Sequence, residues 1–153
     1  MRHHLTFLAI FLALAPSAYA QELSGINSVM IVAELGDESF ARACGVSVAS
    51  VDAAMRIPVS NSRLRSVKVS TDAILYANVN VVQAPNGQCA AAITVEVTRH
   101  LFLKPHEGSP RVFGTVWSNS YTLIGFPQGF GKATSDKVED YTKQMIAAWL
   151  KDR

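Results

Sequence analysis

The stretch ILYANVNVVQAPNGQCAAAITVEV, residues 74–97, decides the fold. Two alternating runs flank the turn Pro85-Asn86-Gly87-Gln88. In the first, Leu75, Ala77, Val79 and Val81 oppose Tyr76, Asn78 and Asn80; in the second, Cys89, Ala91, Ile93, Val95 and Val97 oppose Thr94, Glu96 and Thr98. Side chains of a strand point alternately to its two sides, so each run has one face to bury and one to leave in water. Asn86-Gly87 tolerates the positive φ that a tight reversal demands. The segment reads as an antiparallel hairpin with one buried face.

On the N-terminal side, INSVMIVAEL (residues 26–35) reads as a mostly buried strand. CGVSVASVDAAMRIPVSNS then reads as a helix capped by Ser47, with Val48, Val51, Ala54 or Met55 on its apolar side, fading near Pro58 because proline lacks the N–H that a helix interior uses. A short strand, LRSVKVS, precedes the hairpin. Beyond it come a polar turn, KPHEGSP, and a strand over RVFGTVWSNSYTLIGF. From about Thr134 to Leu150 an amphipathic helix carries Val138, Tyr141, Met145, Ala148 and Trp149 on one stripe, opposite Lys137, Asp140, Lys143 and Gln144. The expected order is β-α-β-β-β-β-α: an α+β fold in which an antiparallel meander carries two helices on one face.

The first twenty residues are not part of that fold. A cationic start, MRHH, leads into the apolar run LTFLAIFLALA, and PSAYA ends in the small-x-small pattern of Ala18-Tyr19-Ala20. This is a secretory signal peptide with cleavage expected before Gln21, leaving one domain over 21–153. Of the 14 basic residues Arg2 alone leaves with it, so 13 face 12 acids and the mature net charge is about +1. That balance gives no pull toward nucleic acid, and with no second apolar run stable membrane insertion is not expected. The two cysteines take their meaning from export: in an oxidising compartment Cys44–Cys89 is the default disulfide, with a free thiol or an intermolecular bridge as the alternative.

The succession CGVSVASVDAAMRIPVSNSRLRS, ILYANVNVV, GQCAAAITVEV and GTVWSNS, closed by an amphipathic helix, resembles small exported proteins of proteobacteria with the same order of cysteine, helix, strands and tryptophan strand. The resemblance implies a Gram-negative periplasmic setting. It carries over no catalytic residue.

No reaction is written in the motifs. GFPQGFGKAT (residues 125–134) invites a phosphate at a helix N-terminus, but five residues separate Gly125 from Gly131-Lys132 where the P-loop has four, and Ala133 replaces its hydroxyl residue. His100, His106 and Glu107 lack metal-ligand spacing. GVSVA is not a nucleophile elbow, and Ser47 is explained as a cap. No cofactor and no metal is expected. Two surfaces are candidates for binding: the basic cluster Arg56, Arg63, Arg65 and Lys68, and an aromatic-polar face of the last strand, Phe113, Thr115, Trp117, Asn119, Tyr121 and Leu123. A solvated face and ordinary core packing are the plain readings of the two. The functional expectation is an exported, non-enzymatic module that binds a periplasmic protein, an envelope component or a small ligand. The alternative is a small periplasmic hydrolase or other enzyme with a site assembled from dispersed residues.

Overall fold

The computed structural model describes residues 23–69, 72–102 and 111–152. The leader, its cleavage point and the KPHEGSP turn lie outside them. Along the chain run β1 (Ser28–Leu35), α1 (Glu38–Ala43), α2 (Val48–Ser60), β2 (Arg65–Val67), β3 (Ala73–Gln83), β4 (Cys89–Phe102), β5 (Arg111–Gly125) and α3 (Pro127–Lys151). The strands form one sheet in the order β2-β1-β3-β4-β5.

The hairpin is β3 and β4, paired antiparallel from Ala73 opposite Arg99 to Gln83 opposite Cys89. Leu75, Ala77, Val79 and Val81 lie buried against Val97, Val95, Ile93 and Ala91, so the alternation read from the sequence is the sheet's inner face. In the turn, the Gly87 N–H donates to the Ala84 carbonyl at 2.9 Å and Gly87 takes a φ of +82°. Glycine adopts that conformation without the Cβ penalty other residues meet.

The sheet is mixed rather than a meander. β1 lies between β2 and β3 and is parallel to both. The cause is the connection: after β1 the chain travels through two helices before it returns, and such a crossover brings the next strand back in the same direction. Asp72 then anchors the passage from β2 to β3, its carboxylate accepting from the Ser28 hydroxyl at 3.1 Å and the Asn27 N–H at 3.4 Å.

Helix α1 is an element that the expected order lacks. Asp37 caps it, accepting from the backbone N–H of Ser39 at 2.8 Å and of Phe40 at 3.2 Å. Ser47 caps α2 as expected, with Ser50 completing a reciprocal pair of bonds. Val51, Ala54 and Met55 are buried, whereas Val48 is exposed. As expected, α2 fades near Pro58: the proline lies buried in the last turn, and the helix ends at Ser60. Helix α3 starts at Pro127 instead of near Thr134, interrupted at once by Gln128 and by Gly129 at a φ of +78°.

All three helices serve the same face: α1 meets β3, α2 covers β1 and packs along α3, and α3 covers β4 and β5. The core between the layers gathers Val29, Met55, Leu75, Ile93, Met145 and Trp149. Cys44 and Cys89, both fully buried, form a disulfide with a Cα–Cα distance of 6.0 Å. It ties the end of α1 to the first residue of β4. The architecture is α+β, and among the described residues no helix is long and apolar enough to cross a membrane.

Candidate functional site

The basic cluster divides: Arg56 and Lys68 border one hollow, whereas Arg63 and Arg65 lie elsewhere. Arg56, on α2, is engaged by Asp52 one turn earlier, with Nε to Oδ2 at 2.5 Å and Nη2 to Oδ1 at 2.9 Å, a bidentate pair at helical spacing. With Lys68, Met30 and Ser66 it lines a shallow hollow of about 420 Å³. Arg65 stands opposite Ser28 in β2, and Ser66 opposite buried Val29, so alternation sends Arg65 to the open side of the sheet. Arg63, in the loop after α2, borders a different depression.

The aromatic-polar face is also divided. Between Val97 and Thr98 the β4–β5 register shifts, so that Val97 opposes Trp117 and Thr98 opposes Thr115. Val116 is the extra residue of a bulge. One extra residue reverses the side on which every earlier side chain falls. Trp117, Asn119, Tyr121 and Leu123 therefore lie on the helix-covered face, while Phe113 and Thr115 lie on the open one. Trp117 is buried in the core. Tyr121 remains half exposed with the Lys137 ammonium 5.0 Å from its ring centre, a cation–π contact.

The larger concavity lies between α2 and α3. It encloses about 780 Å³ and is lined by Ile57, Pro58, Asn61, Ser62 and Arg63 from the α2 end, and by Glu139, Lys143, Ile146, Ala147 and Leu150 from α3. Its apolar residues differ in origin. Ile146 and Pro58 are the outer margin of the core, but Ile57 and Leu150 are each 52% exposed. The rim is charged: Lys143 Nζ stands 2.6 Å from Glu139 Oε1, and Arg63 has no ion-pair partner among the described residues. Sequence reading found Arg63 but missed the groove. The available signal was an apolar residue off the buried stripe: Ile57 between Arg56 and Pro58, and Leu150 between Trp149 and Lys151.

Lys143 is raised above its ordinary value, first by its hydrogen bond to Glu139. Arg56 is raised by its bond to Asp52, the Tyr76 hydroxyl by its bond to Glu34, and Asp37 is lowered by the Ser39 hydroxyl and then by backbone N–H groups. Each shift follows from a local hydrogen bond that favours the charge state the group already has at neutral pH. His100 is exposed and packs edge-on against the Phe113 ring, centroids 4.4 Å apart. His106 and Glu107 lie outside the described residues. Among those described, no group of three or more His, Cys, Asp or Glu is placed to hold a metal. The GFPQGFGKAT segment packs its Gly131 onto the α1–α2 turn, where a Cβ on that glycine would meet the Gly45 carbonyl oxygen.

No protein-family model and no curated protein matches the sequence. Among solved structures the chain is similar to the PelC L103M dodecamer from Paraburkholderia phytofirmans, at a TM-score of 0.49 and 13% identity over 78% of this chain and 86% of that one. It is also similar to a minor lipoprotein from Acinetobacter baumannii, at a TM-score of 0.36 and 7% identity over 80% and 91% of the two chains. Neither likeness bears on what this chain does.

Proposed function

We propose that the chain is an exported, periplasmic, non-enzymatic binding module, and that the α2–α3 groove receives the apolar side chains of a protein partner. The leader pattern and the buried disulfide both suit an oxidising compartment outside the cytoplasm. The observation that carries the binding reading is the placement of Ile57 and Leu150, half exposed, in a groove whose rim is charged. An apolar floor between two helices with a charged margin matches the way grooves take an amphipathic segment. Its volume falls within the range of binding clefts, roughly 300–1,000 Å³. An acidic residue on the partner would meet Arg63. No cofactor, nucleic acid or lasting membrane insertion enters this reading.

The test is charge placed on the floor. Ile57→Glu and Leu150→Glu, made on side chains already in water, are expected to leave the melting temperature near that of the parent and to abolish retention of the partner from periplasmic extract. A partner retained equally by the parent and both variants rejects the groove.

A further inference from the structure

The two edges of the sheet are built differently. β2 is an edge of 3 residues that begins with exposed Arg65 and is followed by exposed Lys68. Short length and cationic side chains are the usual protections of a strand edge against pairing with another chain. β5, the opposite edge, runs for 15 residues and carries no charged residue and no proline from Val112 to Gly125. Among the described residues no strand lies beyond it. Every second residue of an edge strand directs its backbone N–H and C=O away from the sheet, so β5 presents a row of such groups. Helix α3 reaches the strand through few polar contacts: the Tyr141 hydroxyl donates to the Ser120 carbonyl at 3.1 Å, and the Asn119 amide donates to Gln144 at 2.8 Å.

We infer that two copies of this chain pair antiparallel through β5, over Trp117–Gly125, and join their five-stranded sheets across a two-fold axis. The span follows from the bulge: pairing with β4 is regular from Trp117 to Gly125 and shifts just before it. A second copy fits because a strand edge is complementary to itself in antiparallel orientation, which is the isologous contact a two-fold axis requires. Charge does not oppose it. The seam itself is uncharged, and the α3 residues beside it carry both signs, Lys137 lying 3.2 Å from Asp140. The mature chain is close to neutral, at about +1. Apolar surface flanks the seam on both sides of the sheet, Tyr121 on the helix side and Ile124 on the open side, both exposed. The seam and the α2–α3 groove are separate surfaces, so each assignment stands or falls alone.

The test uses the mature chain with its disulfide intact. Sedimentation velocity over a range of concentrations is expected to show a dimer, and hydrogen exchange to show protection of β5 amides on the edge away from β4. Ser120→Lys with Thr122→Lys adds charges on exposed open-face positions, and like charges facing one another across a strand pair oppose association. That variant, and its Glu counterpart at the same two positions, should each self-associate at least about tenfold more weakly, equivalent to ~1.4 kcal/mol. Their melting transitions should persist, and an equimolar mixture of the two should recover the dimer mass. If the double variants do not fold, Thr122→Lys alone is measured in the same way. A parent that sediments as a monomer throughout, or a dimer indifferent to the added charges, overturns the inference.

Discussion

The indole N–H of Trp149 donates to the backbone carbonyl of Ile26 at 2.8 Å, joining positions 123 apart in the chain. Trp149 is the largest fully buried side chain among the described residues, and Ile26 lies two residues before the start of β1. The C-terminal helix is thereby pinned to the start of the sheet. At the same end the Leu23 N–H donates to Asp152, at 3.4 Å, so the two ends of the described fold lie side by side.

Truncation of that indole should cost most of what holds the domain together. A buried Trp→Ala change typically costs about 3–5 kcal/mol. Trp149→Phe keeps most of the apolar contact but leaves the Ile26 carbonyl without its donor, a loss of about 1–3 kcal/mol. Urea unfolding should rank the variants Ala below Phe below parent, with Lys151→Ala close to parent. An equal effect of Ala and Phe would show that the hydrogen bond, not packing, carries the site.

The Cys44–Cys89 bridge closes a loop with a sequence separation of 45, which stabilises the fold by about 4 kcal/mol in the chain-entropy account. Thiol titration of the denatured, unreduced protein should find no free thiol. The double change Cys44→Ala and Cys89→Ala should lower the melting temperature markedly. An unchanged melting temperature would contradict a structural role.

Gly131 is held to glycine by its neighbour. A Cβ there would stand 1.9 Å from the Gly45 carbonyl oxygen, where backbone meets backbone and neither can swing aside. Gly131→Ala should destabilise by about 1–3 kcal/mol or more, as overpacking does. Ala133→Gly, on an exposed position two residues later, serves as the control and should cost about 1 kcal/mol from helix propensity alone. Chemical denaturation of both variants decides it.

The Asp37 cap makes a prediction in acid. Its carboxyl titrates below its ordinary value in the folded chain because the ionised form accepts bonds from Ser39 and Phe40. The unfolded state therefore binds its proton first as pH falls, so the cap's contribution is complete above the ordinary carboxylate range and is lost as pH drops through the lowered folded value. Urea midpoints of the parent and Asp37→Asn should differ most near neutrality and converge in acid. A difference that widens in acid would reverse the sign and refute the assignment.

The parts of the fold written in local periodicity were legible. The hairpin, the Ser47 cap and the stripe ending in Trp149 each declare themselves within a few residues, because alternation, capping and helical spacing are local consequences of the backbone. Strand order was not. That β1 inserts beside β3 depends on the crossover through α1 and α2, and α1 is a helix of 6 residues whose signal is little more than the cap Asp37 and Glu38 in its first turn. The aromatic face of β5 misled for a related reason. Period-two reading carries Phe113 and Trp117 to one side, and the bulge at Val116 separates them. The groove was invisible because its residues come from the end of α2 and the C-terminal half of α3, some ninety positions apart, and neither segment alone shows a concavity.

The most direct measurement of the binding assignment is site-specific photocrosslinking in living cells that produce the full chain. A photoreactive side chain is placed in turn at Ile57 and Leu150 in the groove, and at Asn80 on the open sheet face. The account predicts that both groove positions capture the same partner protein and Asn80 does not. Arg63→Ser should weaken that capture while Arg65→Ser leaves it intact, each changing stability by under about 0.5 kcal/mol. Capture from Asn80 alone, or none from either groove position, would contradict the groove as the site of function.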